Sequence, residues 1–191
     1  MKKIGILGGT FNPIHLGHLA MARAALNTFK LDRVYFVPCA MPPHKSENNL
    51  APAKDRLQMV KRAIKGNPKF RISNFEIRKG GRSYSIDTVK HFRSKLKSKD
   101  QLFFIIGQDS LNTLGTWKQI DELTQLVQFV VINRRGSKKI KSKYKVLFVE
   151  MPALNISSSG IRNKLNKGRT VKNFVPERVR QYIEKKNLYD K

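Results

Sequence analysis

Cysteine occurs once in the 191 residues, at Cys39. One thiol excludes an internal disulfide framework and suits a reducing compartment, so a cytoplasmic protein is expected. Acidic residues are scarce, with thirteen Asp and Glu against thirty-nine Lys and Arg. They form no cluster along the chain, so a metal site fixed by the protein itself is not expected. No apolar run approaches the roughly twenty residues that would span a bilayer. Lys2 and Lys3 precede a run that closes on glycines too soon for a signal peptide. No internal repeat or linker divides the chain, and 191 residues read as one domain, 1–191, able to bury a proper core.

What is abundant is positive charge, a net +26. A polyanionic partner is one reading, whether nucleotide phosphates or a nucleic acid. A lysine-rich surface is the other. The dense stretch Arg134 to Lys143 is matched by Lys90 to Lys99 and by Lys164 to Lys172, so the excess is spread out. It also lacks the interleaved aromatics of a single-strand binder. The spread favours the second reading, and nucleic-acid binding is not expected.

Hydrophobic patterning alternates strands with helices. Lys3–Leu7, Arg33–Val37, Leu102–Ile106, Phe129–Ile132 and Lys145–Val149 read as strands, with one or two more short strands between Phe70 and Ile77. The run Leu102–Ile106 is apolar on both faces, which suits the middle of a parallel sheet. Helical spacing follows Ile14, runs from Ala51 to Lys65 (Leu57, Val60 and Ile64 as its stripe), and runs from Ser85, the expected N-cap, to Lys97. It recurs over Lys118–Leu126, with a further turn at Leu111–Leu114. Gly66-Asn-Pro should stop the second helix. The pattern predicts an α/β fold, a single doubly wound parallel sheet of Rossmann-like form with helices on both faces. Ligands of such sheets sit beyond the carboxyl ends of the strands.

Two stretches carry chemistry. The first is Gly8-Gly-Thr-Phe-Asn-Pro-Ile-His15-Leu-Gly-His18, where a strand closes on two glycines and a helix begins. Gly8 and Gly9 are expected to turn the backbone tightly and to let a ligand approach. Free N–H groups and the helix dipole make such a helix start an anion site. His15 and His18, on one helical face, can donate to phosphate oxygens. The second stretch is Ile156-Ser157-Ser158-Ser159-Gly-Ile-Arg162, after the last strand. One serine would suffice as a cap. Three hydroxyls form a second anion cradle, and Arg162, one turn in, can reach a phosphate with its planar fork.

The first stretch resembles the (H/T)xGH signature of the nucleotidyltransferase superfamily, related to the HIGH motif of class I aminoacyl-tRNA synthetases. The second is similar to the ISSTxIR motif of nucleotide adenylyltransferases. Together they resemble the bacterial nicotinate mononucleotide adenylyltransferases, and the likeness runs nearly the whole chain. It includes Pro42-Pro-His-Lys45, Ser85-x-x-Thr88, Gly107-x-Asp109, Thr113-x-x-x-Trp117 and the closing segment Val175–Ile183. Asn12 stands where Asp is frequent in that family, and Ser159 where Thr is frequent; both keep a side-chain oxygen. The resemblance implies transfer of AMP from ATP to nicotinate mononucleotide, giving deamido-NAD and pyrophosphate in NAD biosynthesis.

The attacking phosphate is already anionic, so direct in-line attack needs neither a general base nor a covalent enzyme intermediate. The resemblance places His15, His18 and Arg162 at the reacting phosphates. It places ATP against Gly8, Gly9, Thr10, Phe11, Gly107, Asp109, Ile156, Ser157 and Ser158, with Mg²⁺ carried by the nucleotide's own phosphates. Lys45, Thr88, Asp109, Trp117 and Arg134 fall to the mononucleotide, Trp117 by stacking on the pyridine ring. Asp109 can equally be a helix cap, and Arg134 an ordinary solvated arginine. Nicotinate's carboxylate would be read by backbone N–H groups near Thr88. Two alternatives stay open: a phosphopantetheine adenylyltransferase, and a basic nucleic-acid-binding domain with a vestigial nucleotide site. A homo-oligomer is compatible with either activity.

Overall fold

In the computed structural model, residues 1–42, 50–134, 136 and 142–189 are described. Six strands form one sheet in the order β3-β2-β1-β4-β5-β6, and every neighbouring pair is parallel. The strands are β1 (Lys3–Gly9), β2 (Arg33–Pro38), β3 (Phe70–Ile72), β4 (Gln101–Gly107), β5 (Gln128–Arg134) and β6 (Val146–Met151). The helices are α1 (Leu16–Thr28), α2 (Ala53–Ile64), α3 (Phe75–Lys79), α4 (Ser85–Arg93), α5 (Gln108–Asn112), α6 (Ile120–Leu126), α7 (Ser158–Leu165) and α8 (Glu177–Lys185). A single 3₁₀ turn covers Leu114–Thr116. This is the doubly wound sheet the pattern predicts, and its order reverses between β1 and β4.

Alternation along the central strands divides the core in two. Phe103, Ile105, Val130 and Ile132 face one side, with Ala22 and Ala25 of α1, Met59 and Val60 of α2, Ile161 of α7 and Val179 and Ile183 of α8. Leu102, Phe104, Ile106, Phe129 and Val131 face the other, with Ile86, Val89 and Phe92 of α4 and Leu123 of α6. Helices therefore cover both faces, and the unbroken apolar run of β4 has a physical reason. The amino end of β1 is stitched by two carboxylates: Asp100 accepts the Lys2 N–H at 2.7 Å and Asp32 the Lys3 N–H at 2.7 Å.

Several local expectations change. Gly8 and Gly9 do not turn; they complete β1 as extended strand, paired with Val37 and Pro38. The left-handed residue is Phe11, at φ 49°. The segment Phe70–Ile77 holds one strand, and α3 starts at Phe75 with its first turn closing on Asn74, whose carbonyl accepts the Arg78 N–H. The buried side chain of Glu76 draws that turn inward. Tyr84, not Ser85, occupies the N-cap of α4, and α4 ends at Arg93 because the following turns are i→i+3. In α2 the fully buried residues of the stripe are Arg56, Met59 and Val60, whereas Leu57 is half-buried. Gly66, at φ 106°, follows the end of α2 as expected.

Gly5 is a packing requirement of β1. A Cβ there would lie 2.9 Å from Leu31 Cδ1 and 3.2 Å from both Ile105 Cδ1 and Val34 Cγ2. Those three side chains are themselves buried. Gly5→Ala should therefore overpack the β1 layer and cost about 1–3 kcal/mol in urea unfolding, with the fold retained.

Candidate active site

The site starts at the carboxyl end of β1. Phe11 turns left-handed and lays its ring over Gly9, where a Cβ would approach the ring to 3.2 Å. Glycine is thus needed at position 9 for an aromatic neighbour rather than for a turn. The Phe11 ring meets His18 edge-on, with centroids 5.1 Å apart, and packs on Phe36. His15 is the N-cap of α1, in extended conformation, and His18 is the third residue of the helix. Their rings stack at 3.7 Å with an interplanar angle of 23°. The His15 backbone N–H donates to His18 Nδ1 at 3.2 Å. This bond assigns the neutral His18 tautomer: Nδ1 accepts, so the proton sits on Nε2 as a donor. Gly17 is explained by the same pair, since a Cβ there would lie 3.0 Å from His15 Nδ1. The start of α1 offers fewer open amides than expected, because the Leu16 N–H donates to the Phe174 carbonyl at 2.9 Å.

The second stretch lands on the first. Arg162 Nη1 donates to the Asn12 carbonyl at 2.8 Å, and Ser158 Oγ donates to the Pro13 carbonyl at 3.0 Å. Residues separated by 150 and 145 positions are thereby joined at one loop. Ser157 is the cap of α7, accepting the Gly160 N–H at 3.1 Å, and Ser159 Oγ lies 3.3 Å from Ser157 Oγ. Two of the three hydroxyls therefore serve the fold. The Asn12 side chain is engaged as well: its Oδ1 accepts from the Ala51 N–H at 3.0 Å and from the Tyr189 hydroxyl at 2.8 Å. Burial pushes the Tyr189 phenol well above its ordinary pKa, so it remains a donor.

Beneath the loop lies Arg56, only 1% exposed. Its guanidinium donates to the carbonyls of Ala51 (2.9 Å), Thr10 (2.9 Å), Cys39 (2.7 Å) and Ala40 (2.7 Å). One cation thus ties the loop after β1, the end of β2 and the approach to α2. Periodicity gave no sign of it, because a buried arginine next to an apolar stripe reads like any surface arginine. Cys39 lies against the same guanidinium, with Sγ 3.7 Å from Nη1. Burial raises its thiol pKa even though Arg56 opposes this, which keeps the thiol protonated.

The chain as a whole has counterparts among known proteins. Residues 6–164 match the cytidylyltransferase-like family. A solved structure of Plasmodium falciparum nicotinic acid mononucleotide adenylyltransferase complexed with NaAD superposes with a TM-score of 0.80 at 25% identity, covering 99% of this chain and 98% of that one. The chain is 46% identical to a probable nicotinate-nucleotide adenylyltransferase of Lactiplantibacillus plantarum, over 99% of this chain and 89% of the relative. It is 48% identical to a protein of the same description from Shouchella clausii, over 99% of this chain and 97% of the relative. The chain belongs to the nicotinate-nucleotide adenylyltransferase family.

Of the remaining candidates in this nicotinate-nucleotide adenylyltransferase fold, Gly107 and Asp109 fall at the carboxyl edge of the sheet. Gly107 ends β4 and caps α5, and Asp109, in the first turn of α5, is exposed. Trp117 follows the 3₁₀ turn, half-buried, with its ring edge-to-face on Phe104 at 5.8 Å and on Phe129 at 6.0 Å. Ile156 is half-buried beside the Ser157 cap. Lys45 and the side chain of Arg134 lie outside the described residues. Thr88 is 1% exposed, and its hydroxyl donates to Glu76 Oε1 at 2.5 Å. Its side chain is committed to a buried carboxyl that the sequence did not single out. Asn133, 5% exposed at the end of β5, was also missed; its Oδ1 has no hydrogen-bond partner among the described residues. Such a group, at the mouth of a ligand site, can accept from a bound hydroxyl. Among the described residues no three His, Cys, Asp or Glu side chains gather to hold a metal ion, and no helix is long and apolar enough to cross a membrane.

Two outcomes follow from these buried groups. Arg56→Met leaves four carbonyls without their donor and should cost at least about 2 kcal/mol in unfolding experiments, with Arg56→Lys recovering part of the loss. Glu76 has its pKa raised from an ordinary 4.5, chiefly by burial. Between those two values the folded chain holds a proton that the unfolded chain has released, so stability falls as pH rises through that window. Glu76→Gln, which keeps the Thr88 bond and removes the charge, should flatten this dependence and raise the urea midpoint at about pH 8 relative to wild type.

Proposed function

We propose that this chain transfers the adenylyl group of ATP to nicotinate mononucleotide, releasing pyrophosphate and forming nicotinate adenine dinucleotide. A phosphate oxygen of the mononucleotide attacks the α-phosphorus of ATP, and the bond to the β-phosphate breaks. No proton has to move, so catalysis consists of aligning two polyanions and neutralising charge. The observation that carries this reading is the junction of Arg162 and Ser158 with the Asn12–Pro13 carbonyls, beside the His15/His18 stack.

His18, with its proton on Nε2, donates to a phosphate oxygen as charge builds, and His15 backs the ring. Arg162 spends Nη1 on Asn12 and keeps its other donors for the β- and γ-phosphates. Ser157, Ser158 and Ile156 line that side, and the extended backbone of Gly8, Gly9 and Thr10 with Phe11 lines the other. Gly107 and Asp109, at the end of β4, meet ribose or adenine. Trp117 presents its ring to the pyridine, with Lys45, Thr88 and Arg134 on the mononucleotide side. Thr88's part is indirect on this geometry, because its hydroxyl holds Glu76 and its helix start orients the nearby amides. Mg²⁺ would travel on the nucleotide phosphates, because it prefers substrate oxygens and retained water to an all-protein cage. The reading also includes a cytoplasmic location and a single domain.

Pyrophosphate release with ATP and Mg²⁺ tests the proposal, with nicotinate mononucleotide, nicotinamide mononucleotide and phosphopantetheine offered in parallel. Release with the first alone is expected; release with phosphopantetheine alone, or with none, would sink the assignment. His18→Ala should lower kcat by about 10²–10³-fold with the fold retained, a loss far larger than the small drop in stability expected from removing its bond to the His15 N–H. Trp117→Ala should raise the KM for the mononucleotide, not for ATP, by the equivalent of about 1–3 kcal/mol of ring stacking.

A further inference from the structure

Away from the catalytic loop, the C-terminal half of α2 and one face of α8 border an open groove of about 480 Å³. Lys61, Arg62 and Lys65 line it from the α2 side, and Arg178 and Lys185 from α8. Gln181 and Tyr182 complete its walls. No carboxylate lines the groove, and none forms an ion pair with these five cations among the described residues.

This is not a uniform basic coat, because the acids of α8 are tied up at the edge of the groove and do not enter it. Glu177 and Glu184 both pair with Arg180, and Glu177 also accepts from the Gln181 amide at 3.0 Å at the groove's rim. Val179 and Ile183 enter the core. Residues 178, 181, 182 and 185, at helical spacing, make the face toward the groove, with both its ionised members positive. Packed helices lie about 8–10 Å apart, near the Debye length at physiological salt, so repulsion between charges on the two walls is weakened by salt but not abolished, and grows at low ionic strength. The centre is also pre-organised. Arg62 Nη1 donates to Gln58 Oε1 at 2.8 Å, and its guanidinium stacks over the Tyr182 ring at 4.1 Å. Tyr182 in turn donates to Asp55 Oδ1 at 2.7 Å.

We propose that this groove binds a short linear polyphosphate group, as an inorganic chain or as the tail of a nucleotide. Five cations around one concave space match a ligand with several charges on neighbouring phosphorus atoms, and a bound polyanion relieves their mutual repulsion. Arg62's fixed fork supplies a bidentate contact, and the lysines supply point charges. The ligand is read by its phosphates and not by a base, because the ring face of Tyr182 is already covered by Arg62. The same covering disfavours single-stranded RNA, which relies on open aromatic platforms.

The test is calorimetric titration of tripolyphosphate at low ionic strength into three proteins. These are wild type, the groove variant Lys65→Glu/Arg178→Glu/Lys185→Glu, and a control that reverses the exposed cations of another face, Lys30→Glu/Lys97→Glu/Lys99→Glu. Wild type and control should share a binding event that the groove variant weakens by about tenfold or more, equivalent to 1.4 kcal/mol. GTP in a parallel arm checks that the phosphates alone are read: affinity no higher than that of tripolyphosphate is expected, and much tighter groove-dependent binding of GTP would overturn this by showing that a base is read. The idea is overturned if the groove variant binds as wild type does, or if the control loses as much as the groove variant. Tighter groove-dependent binding of a 12-residue oligouridine than of tripolyphosphate would also overturn it. Adenylyl transfer should be the same in all three proteins, so a failure here is separable from a failure of the catalytic assignment.

Discussion

The catalytic end of this molecule depends on the hydrogen bond from Arg162 to the Asn12 carbonyl, with Ser158 to Pro13 beside it. A parallel sheet brings the carboxyl ends of its strands to one edge but leaves the loops there free to move. Cross-links between loops remove that freedom, and these two come from the far end of the chain. They set the α7 start against the His15/His18 stack. The C-terminal segment adds to the clamp through Tyr189 on Asn12 Oδ1 and through the Phe174 carbonyl on Leu16. An arginine that spends one nitrogen on a backbone carbonyl also has its rotamer settled before a ligand arrives. Less entropy is then lost when it meets a phosphate.

Buried polar groups support this edge from below. Among the described residues Arg56 has four carbonyls within 2.7–2.9 Å and no bonded carboxylate, so peptide dipoles meet most of its charge. Removing a cation from water is costly, and such a site is tolerable only with its donors satisfied. What it secures is a fixed relation between Thr10, the Cys39–Ala40 end of β2 and Ala51. Glu76 plays a smaller part under α4, held by Thr88, with burial raising its carboxyl pKa above the ordinary value. Neither group touches a proposed reacting atom. Both set where the loops that do so can lie.

Positive charge enters at two scales. Spread over the surface, it suits a lysine-rich exterior and contributes a general attraction for anionic nucleotides. Concentrated between α2 and α8, with the acids of α8 paired at the groove's edge, it becomes a local feature with a shape. Net charge alone could not distinguish these situations. The distinction depends on which helix faces meet, and that is a property of packing.

The sequence by itself determined the sheet, its parallel sense and the two phosphate motifs, because apolar periodicity and glycine, proline and serine positions act over a few residues. Leu102–Ile106 could only be a central strand, and His15, Gly17 and His18 could be placed at a helix start. Local signals also misled where neighbours distant in sequence take over. Gly8 and Gly9 looked like a turn but remain strand, since β2 pairs with them and the Phe11 ring needs the space over Gly9. Three serines looked like an open cradle, but one caps α7 and another reaches Pro13. Thr88 looked free and is held by Glu76. Only the tertiary structure decided the Arg56 strut, the Arg162–Asn12 link and the α2/α8 groove, because each is a contact between segments far apart in the chain. Such contacts arise from packing and leave no period in the sequence to read.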